Sequence, residues 1–171
     1  MQQIRYTQRI CTDQQKIDGL LARARVGVLG LSSPDYPYAV PLNFVWYDGS
    51  VYFHGMGSGK KEELLAGAPP ACFTVYEELG TVTDPVPCHA DTAYLSLMLF
   101  GRVQKVTGPT AAAVLQKLVN KYLPGYYREK ISRTQVEICR SSLDGKAVSV
   151  YRLFPVELTA KENPLPTGND C

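Results

Sequence analysis

The chain has only two histidines, no cysteine pair at CxxC spacing, and no apolar run approaching the ~18 residues that a membrane-spanning helix needs. Each scarcity removes a class of function. The five cysteines (Cys11, Cys72, Cys88, Cys139 and Cys171) are scattered. Cys88 and His89 are adjacent, which is poor chelate geometry, so a zinc site is not expected. No signal peptide precedes the cysteines, so reduced thiols and a cytoplasmic location are the expectation. Basic and acidic residues nearly balance, 18 against 16, for a formal charge of +2. No basic stripe is present, so neither nucleic acid nor a membrane is an expected partner. Internal repeats, low-complexity tracts and linkers are also missing. The 171 residues therefore read as one domain, long enough to bury a substantial core.

What is present is mostly strand. Thr12 followed by Gln15 has the spacing of a capping box, and Ile17, Leu20, Leu21 and Ala24 recur at helical period, predicting a first helix. Val26–Leu31 and Tyr38–Tyr47 are β-branched, aromatic or alternating, with Ser33, Pro34 and Asp35 between them. Asp48-Gly49 predicts a hairpin turn into a short strand at Val51–His54. A short helix at Lys60–Gly67 and a strand at Ala71–Tyr76 follow, and Glu78–Ala90 reads as a patternless, proline-containing loop. Thr92–Val106 predicts a long central strand bent at Gly101. Pro109 opens a helix with Val114, Leu115, Leu118, Val119 and Tyr122 on its buried face, ended by Pro124-Gly125. Tyr126–Leu143 fits an irregular excursion or a short helix, and Asp144-Gly145 turns into a last strand at Ala147–Leu153. The core is expected at about residues 9–161, with a frayed tail over 162–171. Connections this short suit antiparallel neighbours, so the fold class is mainly β (α+β): a six-stranded antiparallel barrel with short flanking helices.

The segment Val51–Leu65, VYFHGMGSGKKEELL, carries the chemistry. An apolar strand ends in His54 and passes through Gly55, Gly57 and Gly59, which permit close backbone approach, into Lys60 and Lys61 at a helix start. With the Ser58 hydroxyl, this order suggests a phosphate cradle. The bland alternative is a flexible loop with a solvated basic pair. The segment is not a nucleotide P-loop, because Lys61 stands where a serine or threonine should hold magnesium, and it is not GxGxxG.

The run PYAVPLNFVWYDGSVYFHGMGSGKKEELLAGAPPACFTV, Pro37–Val75, resembles the flavin-mononucleotide-binding split barrels related to pyridoxamine 5′-phosphate oxidase, in the branch of the 5-nitroimidazole resistance proteins. The ordered features are a PLNF strand, a turn, YFH, a glycine loop, the basic pair, a short helix, a proline and a CF strand. SLMLFGRVQKV, Ser96–Val106, is similar to the family's long strand with its central glycine, so the likeness spans about Arg9 to Lys161.

The resemblance implies FMN as cofactor and a homodimer with the flavin at the interface. It places Lys60 and Lys61 at the flavin phosphate; the GSGK register favours Lys60, and the GKK register favours Lys61. It also runs Pro41, Leu42 and Asn43 along the isoalloxazine ring, with Thr74 and Ser96 as further contacts whose hydroxyls could equally be satisfied by backbone. His54 is implied near flavin and substrate, as a hydrogen-bonding, proton-donating or haem-ligating imidazole, or as one merely satisfied by ribityl hydroxyls or backbone. The implied activity is that of an FMN-dependent oxidoreductase of a small organic substrate, such as a nitroimidazole or nitroaromatic reductase, with NAD(P)H a compatible donor. Two alternatives stand beside it: a flavin-binding protein without turnover, and a haem-binding barrel with His54 or His89 as axial ligand. Pyridoxamine phosphate oxidation itself is not implied, because the tail after Phe154 lacks the arginine- and tryptophan-containing signature linked to it. His89 reads as solvated, and Trp46 as a core or subunit contact.

Overall fold

The computed structural model describes residues 4–138, 140–143 and 145–166. Cys139, Asp144, Cys171 and the tail beyond residue 166 lie outside the described residues. Six strands, β1 (Val26–Leu31), β2 (Tyr38–Tyr47), β3 (Ser50–Gly55), β4 (Pro70–Val82), β5 (Asp91–Val106) and β6 (Ser149–Asn163), close an antiparallel barrel in the order β1-β2-β3-β6-β5-β4. Four helices, α1 (Gln14–Arg23), α2 (Lys60–Leu65), α3 (Gly108–Tyr122) and α4 (Arg133–Ile138), flank it.

The local signals act as the sequence suggests, with several differences. Asp13, not Thr12, caps α1: its Oδ1 accepts from the backbone N–H groups of Gln15 and Lys16 at 2.9 and 3.2 Å. A carboxylate one residue nearer the helix reaches both orphan donors at once. At the β2–β3 turn, Asp48 (φ 47°) and Gly49 (φ 64°) are both left-handed, which is what a two-residue hairpin needs. Residues 78–82 are not loop; β4 continues to Val82 through a bulge between Glu78 and Gly80, because β5 is long enough to pair with it to Asp91. β6 likewise runs to Asn163, two residues past the expected core boundary. Its end is secured by the buried Asn163, which donates to the Thr92 carbonyl at 2.7 Å, and by Lys16, 2.6 Å from Glu162. At Gly101 the β5–β6 register shifts, and an added Cβ would lie 2.2 Å from the Phe154 carbonyl, so only glycine allows the strands to approach there.

Leu29, Phe44, Phe53, Phe73, Leu97, Leu99 and Leu153 fill the barrel, with Phe44 and Phe73 edge to face at 5.1 Å. Trp46 is partly buried and packs against that core. Helix α3 packs Ala111, Val114 and Leu118 against Val45 and Tyr52 in a second cluster outside the barrel wall. Its last residue, Tyr122, bonds through its hydroxyl to Phe44, accepting from the backbone N–H at 2.8 Å, and to the Arg25 carbonyl.

The closure is uneven, and this positions the site. β2 pairs with β3 only over Phe44–Tyr47 against Ser50–Phe53, whereas Tyr38–Asn43 pair with β1 alone. Beyond Phe53 the two strands diverge, and a split opens in the wall.

Candidate functional site

A cleft of about 540 Å³ occupies that split. Tyr38 and Val40 of β2 form one wall; His54 and Gly55 at the end of β3, Ser58, Gly59, and Lys60 and Lys61 at the start of α2 form another; Ser141–Leu143 and Val148 close it. The glycines earn their places sterically. A Cβ at Gly55 would meet the Lys61 ammonium at 2.6 Å, one at Gly57 would meet the Ala147 carbonyl at 2.9 Å, and Gly59 has φ 95°. The loop is thus pressed against β6's lead-in while the Lys61 ammonium lies on bare backbone at Gly55.

The electrostatics of the cleft are unbalanced. Elsewhere several basic side chains find carboxylates: Arg23 with Glu77, Lys16 with Glu162 and Arg9 with Asp91. Lys60 and Lys61 form no ion pair among the described residues. Burial pushes the half-buried Lys61 ammonium below the ordinary lysine value, with the neighbouring Glu62 opposing the shift. His54 keeps one edge open to the cleft. Burial of the rest of its ring, and then the Lys61 charge, push the imidazole below its ordinary value, so it is neutral at pH 7. An unpaired cation beside a neutral imidazole suits an anionic ligand oxygen, which would supply the missing charge.

Glu62 does not neutralise this pair because it is committed elsewhere. Its carboxylate accepts from the Tyr151 hydroxyl, from Ser149 Oγ at 3.3 Å and from Lys105 Nζ at 3.0 Å. Burial would raise the Glu62 carboxyl, but these donors outweigh it and hold it below the ordinary range. Burial, then the Glu62 acceptor, push the Tyr151 phenol up.

Of the residues expected from sequence, the structure brings His54, Ser58, Lys60 and Lys61 together in the cleft. Pro41 and Asn43 lie on β2 but project outward from the barrel, and Leu42 packs inward against the core. The β2 side chains that line the cleft are Tyr38 and Val40, a shift along the strand that alternation alone does not reveal. Thr74 and Ser96 do not reach the cleft within one chain. Thr74 sits in an outward row, Pro41–Val28–Thr74–Met98–Thr159, and its hydroxyl is 3.7 Å from Cys72 Sγ; Ser96 pairs with Tyr76 and Lys161 farther along. His89 is exposed, 3.5 Å from Asp84, in a turn far along the chain from the cleft loop.

Sequence reasoning missed Glu62, Tyr151 and the Ser141–Leu143 wall. Glu62 has no mark in the sequence beyond its place after the basic pair, and only the barrel brings Tyr151 to α2. A second hollow, about 760 Å³, lies on the outer face across Tyr38, floored by Ala39, Cys72, Phe100 and Gly101 and edged by Arg102. The Arg102 guanidinium donates to the Ala68 carbonyl at 2.9 Å.

A family model described as pyridoxamine 5′-phosphate oxidase matches residues 13–162. No curated protein matches the chain. Among solved structures, a flavocytochrome from Azotobacter vinelandii is similar at 22% identity and TM-score 0.75, over 98% of this chain and 76% of that one. An FAD- and haem-binding protein from Mycobacterium smegmatis is similar at 20% identity and TM-score 0.74, over 95% and 77%. A protein described as a 5-nitroimidazole antibiotic resistance protein, from Bacteroides thetaiotaomicron, is similar at 22% identity and TM-score 0.65, over 89% and 85%. At these identities the likeness concerns the fold.

Proposed function

Because this chain belongs to the pyridoxamine 5′-phosphate oxidase family, we propose that it is an FMN-dependent oxidoreductase of a small organic substrate, with a nitroimidazole or nitroaromatic compound as the favoured acceptor and NAD(P)H as donor. One observation carries the reading: two lysines without carboxylate partners among the described residues meet a neutral histidine in the split of the barrel. Lys61 and Lys60 would hold the phosphate by charge-assisted bonds. Among the described residues they are the only lysine or arginine side chains lining the cleft, which favours a single phosphate and hence the mononucleotide over a dinucleotide. The bare Gly55 and Gly57 backbone fits close approach of a ribityl chain. When bound, the flavin supplies reversible two-electron chemistry. His54, neutral at the strand end, would hydrogen-bond substrate or cofactor; a phosphate dianion beside Lys61 would offset the lysine's field and restore its proton affinity.

The outward Pro41 and Asn43 lack a facing wall in one chain. Val26 and Val28 beside them, and Met98 in the same cross-strand row, expose apolar surface. A second copy packed on this face would cover it and bring its own residues to the ring, so the reading includes a homodimer with the flavin shared between subunits. Thr74 and Ser96 would then contact the flavin across the interface.

The absorption spectrum of the purified protein tests the cofactor. Flavin bands support the reading, and an intense Soret band would replace it with haem. The haem reading has one feature in its favour, a neutral imidazole open to the cleft at His54. Steady oxidation of reduced nicotinamide with a nitroaromatic acceptor tests turnover. The His54→Ala variant should stay yellow yet lose roughly 10²–10⁴-fold in rate. Parental turnover at saturating flavin would leave His54 without a role in the chemistry.

A further inference from the structure

Helix α2 has six residues and no side-chain cap, since its N-cap is Gly59. A helix this short has little stability of its own, so tertiary contacts must decide how it sits. One contact is the buried Leu65. At 100° per residue, Leu65 points between Lys61 and Glu62, about 40° from the first and about 60° from the second. Leu64, partly buried, packs against the same core, so the apolar contacts hold the C-terminal end of the helix and leave the setting of its first turn to polar contacts. The bonds from Tyr151 and Ser149 of β6 and Lys105 of β5 to Glu62 hold one flank. They thereby present Lys61, on the other flank, to Gly55 and the cleft.

We propose that Glu62 is the positioning residue of the lysine clamp: the Tyr151–Ser149–Lys105 cradle holds it, and it fixes where the Lys61 ammonium stands for a ligand phosphate. The proposal rests on the phosphate reading of the cleft. Glu62 also lies beside Lys61 as the one carboxylate opposing the loss of its charge, so position and protonation are supported by the same group. Replacing Glu62 should therefore weaken phosphate-bearing ligands selectively and should do so only while Lys61 is present.

The test is a double-mutant cycle on the full-length apo protein, titrated with FMN and with riboflavin, which lacks the phosphate. Glu62→Gln keeps the side-chain shape but loses the ion pair with Lys105, and Tyr151→Phe keeps the ring but loses the hydroxyl donor. Each should lower FMN affinity on the order of tenfold and leave riboflavin affinity within about twofold. In a Lys61→Ala background, Glu62→Gln should have no further effect on FMN. Equal losses for both ligands, or additive effects of Glu62→Gln and Lys61→Ala, would overturn the positioning role. A parent protein that binds riboflavin as well as FMN would overturn the phosphate reading and the proposal together, an outcome distinct from the other two.

Discussion

Replacing Lys61 by alanine separates the cost of the cleft from its benefit. The ammonium is half-buried, rests against Gly55 and lacks an ion-pair partner among the described residues, and its pKa is lowered first by burial. A charge-assisted bond from such a group to a phosphate contributes about 1.5–3 kcal/mol. Its loss should therefore weaken FMN binding by a factor of about 10 to 150. Lys60 is exposed at the rim, where solvent and salt screen the interaction, so Lys60→Ala should cost only several-fold. On the proposed reading Lys61 therefore outranks Lys60, a choice that the two sequence registers left open. The effect on the empty protein has the opposite sign. An unpaired ammonium taken from water destabilises the fold, so apo Lys61→Ala should melt at the parental temperature or above. Quenching of flavin fluorescence on titration into apo protein gives the affinities, and calorimetry gives the melting temperatures. Parental FMN affinity in Lys61→Ala, or a larger loss in Lys60→Ala, would refute the reasoning.

His54 should titrate below its ordinary value in the apo protein, as read from imidazole proton shifts, and its pKa should rise on FMN addition and in Lys61→Ala, because both reduce the lysine's field. Its folded pKa is depressed, so its contribution to apo stability should fall as pH drops from the unfolded value of 6.5 through the folded one. Lys121, whose buried ammonium lies 4.4 Å from the Phe44 ring centre without a hydrogen-bond partner, is pushed down to about 8 by burial and by Arg25. The folded state should carry this penalty below about pH 8 and shed it as pH rises toward 10.5; Lys121→Met should flatten that rise and, at pH 7, stabilise by roughly 1 kcal/mol after solvent screening and the lost ring contact are discounted. Sedimentation should give a dimer for the parent, and Val28→Glu, on the exposed apolar face, should give a monomer with weakened flavin binding; a parent that is monomeric while holding flavin tightly would refute the shared site.

Most of the barrel was legible in the sequence because its determinants are local. Alternation set β1 and β2 at the observed bounds, Asp48-Gly49 set the hairpin, and Gly101 and Pro109 marked a bend and a helix start. Strand ends were less visible: β4 extends to Val82 and β6 to Asn163 because partners across the sheet continue, and a partner's length is not written in the strand itself.

The site divides along the same line. The order of His54, the glycines and the basic pair is a local code, and a chain bearing it must place those groups at the end of one strand. Which β2 side chains face them is not local, because it depends on where β2 and β3 stop pairing, so Tyr38 and Val40, rather than Pro41 and Asn43, line the cleft. The partner of Glu62 is 89 residues away at Tyr151. Only barrel closure, which brings β6 beside β3, turns a carboxylate marked in the sequence only by its place after the basic pair into a fixed post beside the clamp, because hydrogen bonds act over about 3 Å of space regardless of the chain between their ends.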